Sequence, residues 1–220
     1  MKATKSLSGI LLCAALCAFH PASAWADGIG IGARVGTLGA GIDAAFSLVP
    51  NHLNLRLGAN RYTYNVDYSF EGVRYDSEVD LNSQSAILDW HVFGGSFRLS
   101  AGAFRNRNAV SATGMATTPV TIGDTTYTPA EIGTLSATVS FKPSASYLGI
   151  GWGNAVGKNK RWGFTVDLGV LFQDAPDVTL TATNPAVSQA DLQQQAADIE
   201  ADIQDFDVYP VLSIGLTFQF

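Results

Sequence analysis

The segment from Tyr209 to Phe220 alternates with period two: Leu212, Ile214, Leu216, Phe218 and Phe220 share one face, and Val211, Ser213, Gly215, Thr217 and Gln219 share the other. Neighbouring side chains of a strand point to opposite sides, so this is an extended strand with one bulky apolar face and one small or polar face. Such a strand suits a soluble sandwich, with its apolar face on a core, and equally a membrane barrel, with that face on lipid. After residue 26 no stretch approaches about 18 consecutive apolar residues, so a helical membrane span fails on length. A closed barrel is the other structure that satisfies every backbone N–H and C=O within lipid.

The motif Ser213-x-Gly215-x-x-Phe218-x-Phe220 resembles the C-terminal sorting signal of outer-membrane barrels. The resemblance implies an assembly machinery that reads it and a last strand ending at the periplasmic face. The same alternation recurs upstream in Trp162 to Phe172, Leu148 to Trp152, Phe97 to Ala103, Leu88 to Val92, Leu53 to Ala59, Ala40 to Leu48 and Ile29 to Val35. Turn residues at Pro50-Asn51, Gly94-Gly95 and Gly157-Lys158-Asn159-Lys160 then fall on the periplasmic side, and Gly36 to Leu38 make a tight outer turn. Longer connections at Phe70 to Glu78, Asn108 to Gly133 and Ala182 to Asp207 fall outside the cell.

The expected fold is therefore all-β: an antiparallel up-and-down transmembrane barrel of about eight strands, with both ends periplasmic. Ten strands follow if Val120 to Tyr127 joins the ring, although that segment reads better as an extracellular hairpin turning at Gly123-Asp124. One helix is expected in the last outer loop, capped by Ser188 with Asp191 in its first turn. Leu192, Ala196, Ile199, Ile203 and Phe206 form its apolar stripe, suited to the barrel rim or neighbouring loops. The carboxylates Asp198, Asp202 and Asp205 read as its solvated face.

The chain begins with Lys2 and Lys5, an apolar run from Leu7 to Phe19, and small residues at Ala22-Ser23-Ala24 and Ala24-Trp25-Ala26. This is the order of a secretory signal peptide, so residues 1–26 are expected to be removed and 27–220 to form the barrel. Both cysteines, Cys13 and Cys17, lie in that leader, which leaves the mature chain without a disulfide or thiol chemistry. The formal charge is −6, and loss of Lys2 and Lys5 makes it −8, the wrong sign for nucleic acid.

With the apolar faces on lipid, the complementary positions Arg34, Asp43, Arg56, Asp89, His91, Arg98 and Asp167 face the lumen. Three arginines meet three aspartates, and charges buried in a narrow interior need hydrogen-bonded partners. An eight-stranded barrel has room for side chains and little else, so the expectation is a charge-plugged lumen with a structural, envelope or surface-interaction role. A porin-like path for small or apolar solutes is the alternative. Arg61, Arg105 and Lys142 extend the outward parity above the apolar bands, where they could contact lipopolysaccharide phosphates. Tyr62, Tyr64, Tyr68, Phe70, Trp90, Trp152 and Trp162 suit an aromatic girdle or rim.

The obvious enzyme of this kind would modify lipid A and needs a base at the outer leaflet. His52 and His91 both fall at periplasmic ends, and Asp76, Ser77 and Glu131 in the outer loops have no histidine partner. No catalytic residue, metal site or cofactor is expected, and the chain is expected to be a monomer in lipid and lipopolysaccharide. The runs Leu88-Asp89-Trp90-His91-Val92-Phe93-Gly94-Gly95-Ser96-Phe97-Arg98-Leu99, Tyr147-Leu148-Gly149-Ile150-Gly151-Trp152-Gly153-Asn154 and Trp162 to Phe172 resemble a family of small, uncharacterised proteobacterial outer-membrane proteins. The resemblance implies barrel architecture and an outer-membrane location, and transfers no catalytic residue.

Overall fold

The computed structural model describes residues 28–70, 73–157 and 161–220, so the expected leader and the turn residues 158–160 lie outside it. In chain order the first strands are β1 (Ile29–Gly36), β2 (Gly39–Val49), β3 (Leu53–Phe70), β4 (Val73–Trp90), β5 (Phe97–Asn106) and β6 (Ala109–Met115). A small hairpin, β7 (Val120–Ile122) and β8 (Thr125–Tyr127), leads into a one-turn helix α1 (Pro129–Ile132) and β9 (Thr134–Ser140). Then come β10 (Ser144–Trp152), β11 (Trp162–Phe172), β12 (Asp177–Ala182), helix α2 (Gln189–Ile203) and β13 (Val208–Gln219).

Eight strands close the barrel. The ring runs β1-β2-β3-β4-β5-β10-β11-β13 and returns to β1, each pair antiparallel. The β7–β8 hairpin stands apart as its own two-stranded sheet, so the ring does not expand to ten. The residues between the β1 and β2 strands, Thr37 and Leu38, form the tight outer turn, and Gly39 after them has φ +90°. That left-handed backbone suits glycine, which lacks the Cβ that would clash there.

The outer connections hold more strand than their length suggested. Both β3 and β4 run 18 residues, so most of Phe70 to Glu78 is a continuation of a long hairpin. Thr63, Tyr64, Val66 and Val79 keep the β-favouring composition of the strands below, and the ladder continues from Leu53↔Trp90 to Phe70↔Val73. Above the ring the upper part of β4 changes partner from β5 to β6, and β6, β9 and β12 complete a five-stranded outer sheet with β3.

Two separate cores result. In the outer unit Ile122, Tyr127, Ile132, Val178, Leu180, Val187, Leu192 and Ala196 are buried together, with Ile199 and Ile203 against them. The helical stripe thus seats α2 on the outer sheet, while Phe206, beyond the helix, is exposed. Ser188 caps α2 by accepting from the Ala190 N–H at 3.2 Å. The Glu200 carboxylate accepts the N–H of Val178 on β12 at 2.7 Å. In the ring, Leu38, Ile87, Phe104, Ala145, Tyr147, Leu171 and Val211 make an apolar layer inside the barrel.

The ring's outer surface is the reverse of a soluble protein's. Leu168 is 54 % exposed while its neighbour Asp167 is 4 % exposed. Ile31, Ile42, Leu57, Leu88, Leu99, Leu148, Phe164, Leu212, Ile214 and Leu216 are also exposed around the circumference. A continuous apolar belt of this size needs a non-aqueous solvent, so the ring spans a membrane. Its periplasmic margin is aromatic. Phe93, Phe97 and Trp152 form one chain of ring contacts, and Trp162, Phe218 and Phe220 form another.

Candidate functional site

The lumen charges come from six of the eight ring strands, because the period-two alternation turns every second residue inward. Arg56 on β3 is the centre. Its Nε and Nη2 donate to the two oxygens of Asp89 at 2.8 and 3.0 Å, and its Nη1 and Nη2 donate to Asp167 at 3.0 Å each. Arg98 donates from Nη2 to Asp167 Oδ1 at 2.7 Å and from Nη1 to the Gly153 carbonyl. Its Nε lies 3.5 Å from Asp89. Ser100 Oγ also donates to Asp89, at 2.6 Å.

Arg56, Asp89, Arg98 and Asp167 are each at most 4 % exposed. Two guanidinium forks and two carboxylates in mutual contact leave this cluster with no net charge, which is what makes burial tolerable. The arrangement needs close backbone. A Cβ at Gly151 would lie 2.7 Å from Arg98 Cζ, so glycine there makes the space the guanidinium occupies. A second pair, Arg34 and Asp43, sits on β1 and β2 at 3.8 Å, with Arg34 Nε donating to Asn60 at 3.1 Å.

His91 belongs elsewhere than among the ion pairs. Lying just past the periplasmic end of β4, it is fully buried; its Nδ1 is 2.8 Å from the Gly95 carbonyl and its Nε2 is 3.3 Å from Asn54 Nδ2. A carbonyl can only accept, so Nδ1 carries the proton and Nε2 accepts from Asn54. Asn54 also donates to Asn154 at 2.9 Å. Asn154 introduces the chain between β10 and β11, where Ala155 and Val156 are buried against Ala45. This inward-folded segment occupies the periplasmic mouth.

The interior is thus filled at three levels: the folded-in segment, the ion pairs, and the apolar layer around Phe104 and Tyr147. Between the last two a cavity of about 20 Å³ remains, bordered by Arg34, Arg56, Asn60, Tyr147 and Ser213, about the space of one water. Thr37 and Tyr209 fasten the outer turn over it, with Tyr209 Oη donating to the Thr37 carbonyl at 2.7 Å and Thr37 Oγ1 to the Pro210 carbonyl at 3.0 Å.

Arg61, Arg105 and Lys142 are exposed at the outer rim. Register sets Arg61 opposite Asn82 and Arg105 opposite Gln84 and Ser144, so the two arginines lie on the outward face of the two strands that flank β4. Lys142 lies 3.9 Å from Asp174. Tyr62 and Tyr64 share the inward parity of Arg56 and Asn60, so they stand on the opposite face of β3 from its lipid-facing residues. The uninterrupted register of β3 carries that parity upward. Trp90, Trp152 and Trp162 are exposed at the periplasmic margin. The side chains of Tyr68 and Phe70 lie outside those described. Ser213 and Gly215 lie inside β13, between β1 and β11, whereas Phe218 and Phe220 lie at its aromatic end.

His52 is exposed in the periplasmic turn, and Glu131 closes a cap with Thr128. No group of three His, Cys, Asp or Glu suited to a metal occurs among the described residues. Asn54, Ser100 and Tyr147 were readable as inward positions from the alternation. Asn154 was not, because its position depends on how the turn folds back into the ring.

The ring, its apolar exterior and its polar interior define an outer-membrane-type antiparallel β-barrel, resident in the outer membrane. Comparison with known protein families and with curated proteins finds no match. Among solved structures the chain is similar to CarO2 of Acinetobacter baumannii, with TM-score 0.60 and 22 % identity over 88 % of this chain and 98 % of that one. CarO of Acinetobacter baumannii aligns with TM-score 0.58, 22 % identity and the same coverage. A major outer membrane protein from Thermus thermophilus is more distant, with TM-score 0.43 and 14 % identity over 87 % and 99 % of the two chains. For the two Acinetobacter baumannii proteins, at 22 % identity, the likeness speaks to the fold.

Proposed function

We propose that this chain is a non-conducting, non-catalytic outer-membrane barrel that stabilises the envelope and presents its outer unit at the cell surface. The observation that carries the reading is the neutral cluster of Arg56, Asp89, Arg98 and Asp167, roofed by an apolar layer with a cavity of only about 20 Å³ between them. On the periplasmic side a recess of about 700 Å³ opens between the turns beside His52, Gly95 and Asn154, but an ion going beyond it meets fixed, already paired charge, where its own hydration cannot be replaced. The barrel works as a monomer of the small proteobacterial outer-membrane kind. Arg61, Arg105 and Lys142 bind lipopolysaccharide phosphates at the rim, and the assembly machinery reads Ser213, Gly215, Phe218 and Phe220.

Planar-bilayer recording with the purified protein tests this. The expected trace shows no steady unitary current across a range of voltages; reproducible steps would overturn the reading. A second reading, passage of small or apolar solutes by a lateral route, draws on an apolar recess in the outer unit beside Val120 and Ile132. Impaired growth of a deletion strain on particular solutes, with no conductance, would favour that route.

A further inference from the structure

The outer unit contains a recess of about 160 Å³ remote from the lumen charges. Its floor is the β6–β9 pair, where Ala112 stands opposite Ala137 and Gly114 opposite Leu135. Strand positions ordinarily carry β-branched or aromatic residues that fill the space above a sheet. Here small residues at three of four positions leave a hollow. Val120 of β7 and Ile132 of α1 form the opposite wall, and Ile132 is wholly buried.

The walls are held apart by bonds made away from the hollow. Tyr127 Oη, at the end of β8, donates to Asp191 on α2, and the Gly123 N–H donates to Gln195 at 3.2 Å. The Thr134 N–H, after α1, donates to Thr183 Oγ1 at 2.9 Å. Hairpin and α1 are therefore anchored to α2 and to the chain beyond β12, and cannot settle onto the Ala112–Ala137 floor without breaking polar contacts. A preformed recess of this kind is what a small ligand needs, because little ordering is left to be done on binding.

The chemistry of the ligand follows from the lining. Every lining side chain is apolar, so a hydroxyl, amine or carboxylate would lose its water without gaining a partner. An apolar cavity of about 150 Å³ accommodates one benzene-sized molecule. We propose that the recess is a binding site for a neutral, apolar molecule about the size of a single six-membered ring. The site lies in the outer unit, and the inference stands whether or not the lumen conducts.

The test uses the full barrel in lipid nanodiscs with ¹³C-labelled isoleucine methyls, titrated with fluorobenzene. The Ile132 methyl is expected to shift and saturate, while that of lipid-facing Ile150 drifts without saturation as the probe partitions into lipid. Ala137→Leu fills the floor and is expected to weaken binding roughly tenfold or more. Ala112→Leu fills it from the neighbouring strand and decides the matter if the first variant does not fold. An Ile132 response that merely follows Ile150, or unchanged saturation in a folded filled variant, would overturn the site.

Discussion

Arg56 shows how one side chain organises a barrel interior. It is shared by two carboxylates from β4 and β11, so its removal leaves two buried negative charges with only Arg98 between them. Arg56→Ala is expected to destabilise the protein by about 3–5 kcal/mol, read from urea unfolding in lipid vesicles. Glu131 works at the opposite extreme of exposure. Its carboxylate accepts the Thr128 N–H at 2.8 Å and the Thr128 hydroxyl at 2.7 Å, and these, in that order, hold it below the ordinary glutamate value. A lowered value means the cap is fully present above the unfolded pKa and is lost as pH falls through the folded one. The Thr128 amide resonance should therefore stay constant from neutral pH into mild acid and move only below the usual glutamate range. In Glu131→Gln that inflection should vanish. The lumen residues on regular strands were legible from parity alone, as Arg56 and Asp167 illustrate. His91 was less so, because it follows the last ladder residue Trp90, and its partners depend on the turn through Gly95.

At the scale of elements, alternation located all eight ring strands because lipid on one side and a filled lumen on the other impose opposite chemistry on adjacent residues. Where that contrast fades, so did the reading. Above the rim the alternation reverses phase: the bulky residues Tyr62, Tyr64, Val79 and Leu81 take the parity that faces the lumen below, and polar residues such as Thr63, Asn65, Glu78 and Asp80 take the other, while the ladder continues. The β7–β8 hairpin and the cap at Ser188 survived because each rests on local turn or capping chemistry that needs no membrane. The outward phase can be checked directly. The Leu168→Cys thiol should remain unlabelled by a charged maleimide in intact membranes, whereas that of Thr179→Cys, at an exposed position on β12, should react. Leu168→Arg should cost about 2–4 kcal/mol if the position lies near the bilayer midplane.

The whole molecule has two cores under different solvents. The ring is braced by lipid outside and ion pairs within, and the outer unit is a water-facing assembly of sheet, hairpin and helices. Amide exchange should separate them: the β6, β9, β12 and α2 amides are expected to exchange well before those of β10 and β11, measured by mass spectrometry on the vesicle-bound protein. Uniform protection would mean that the two cores open as one.

The Glu200 contact with the Val178 N–H has a consequence for crowding. β12 pairs with β9 on one side, and among the described residues no further strand lies beyond it. A bare border of this kind invites a neighbouring molecule to add its own strand, and then another, toward fibrous aggregates. By occupying a donor on that border with a carboxylate from its own helix, the chain discourages such growth wherever two copies meet.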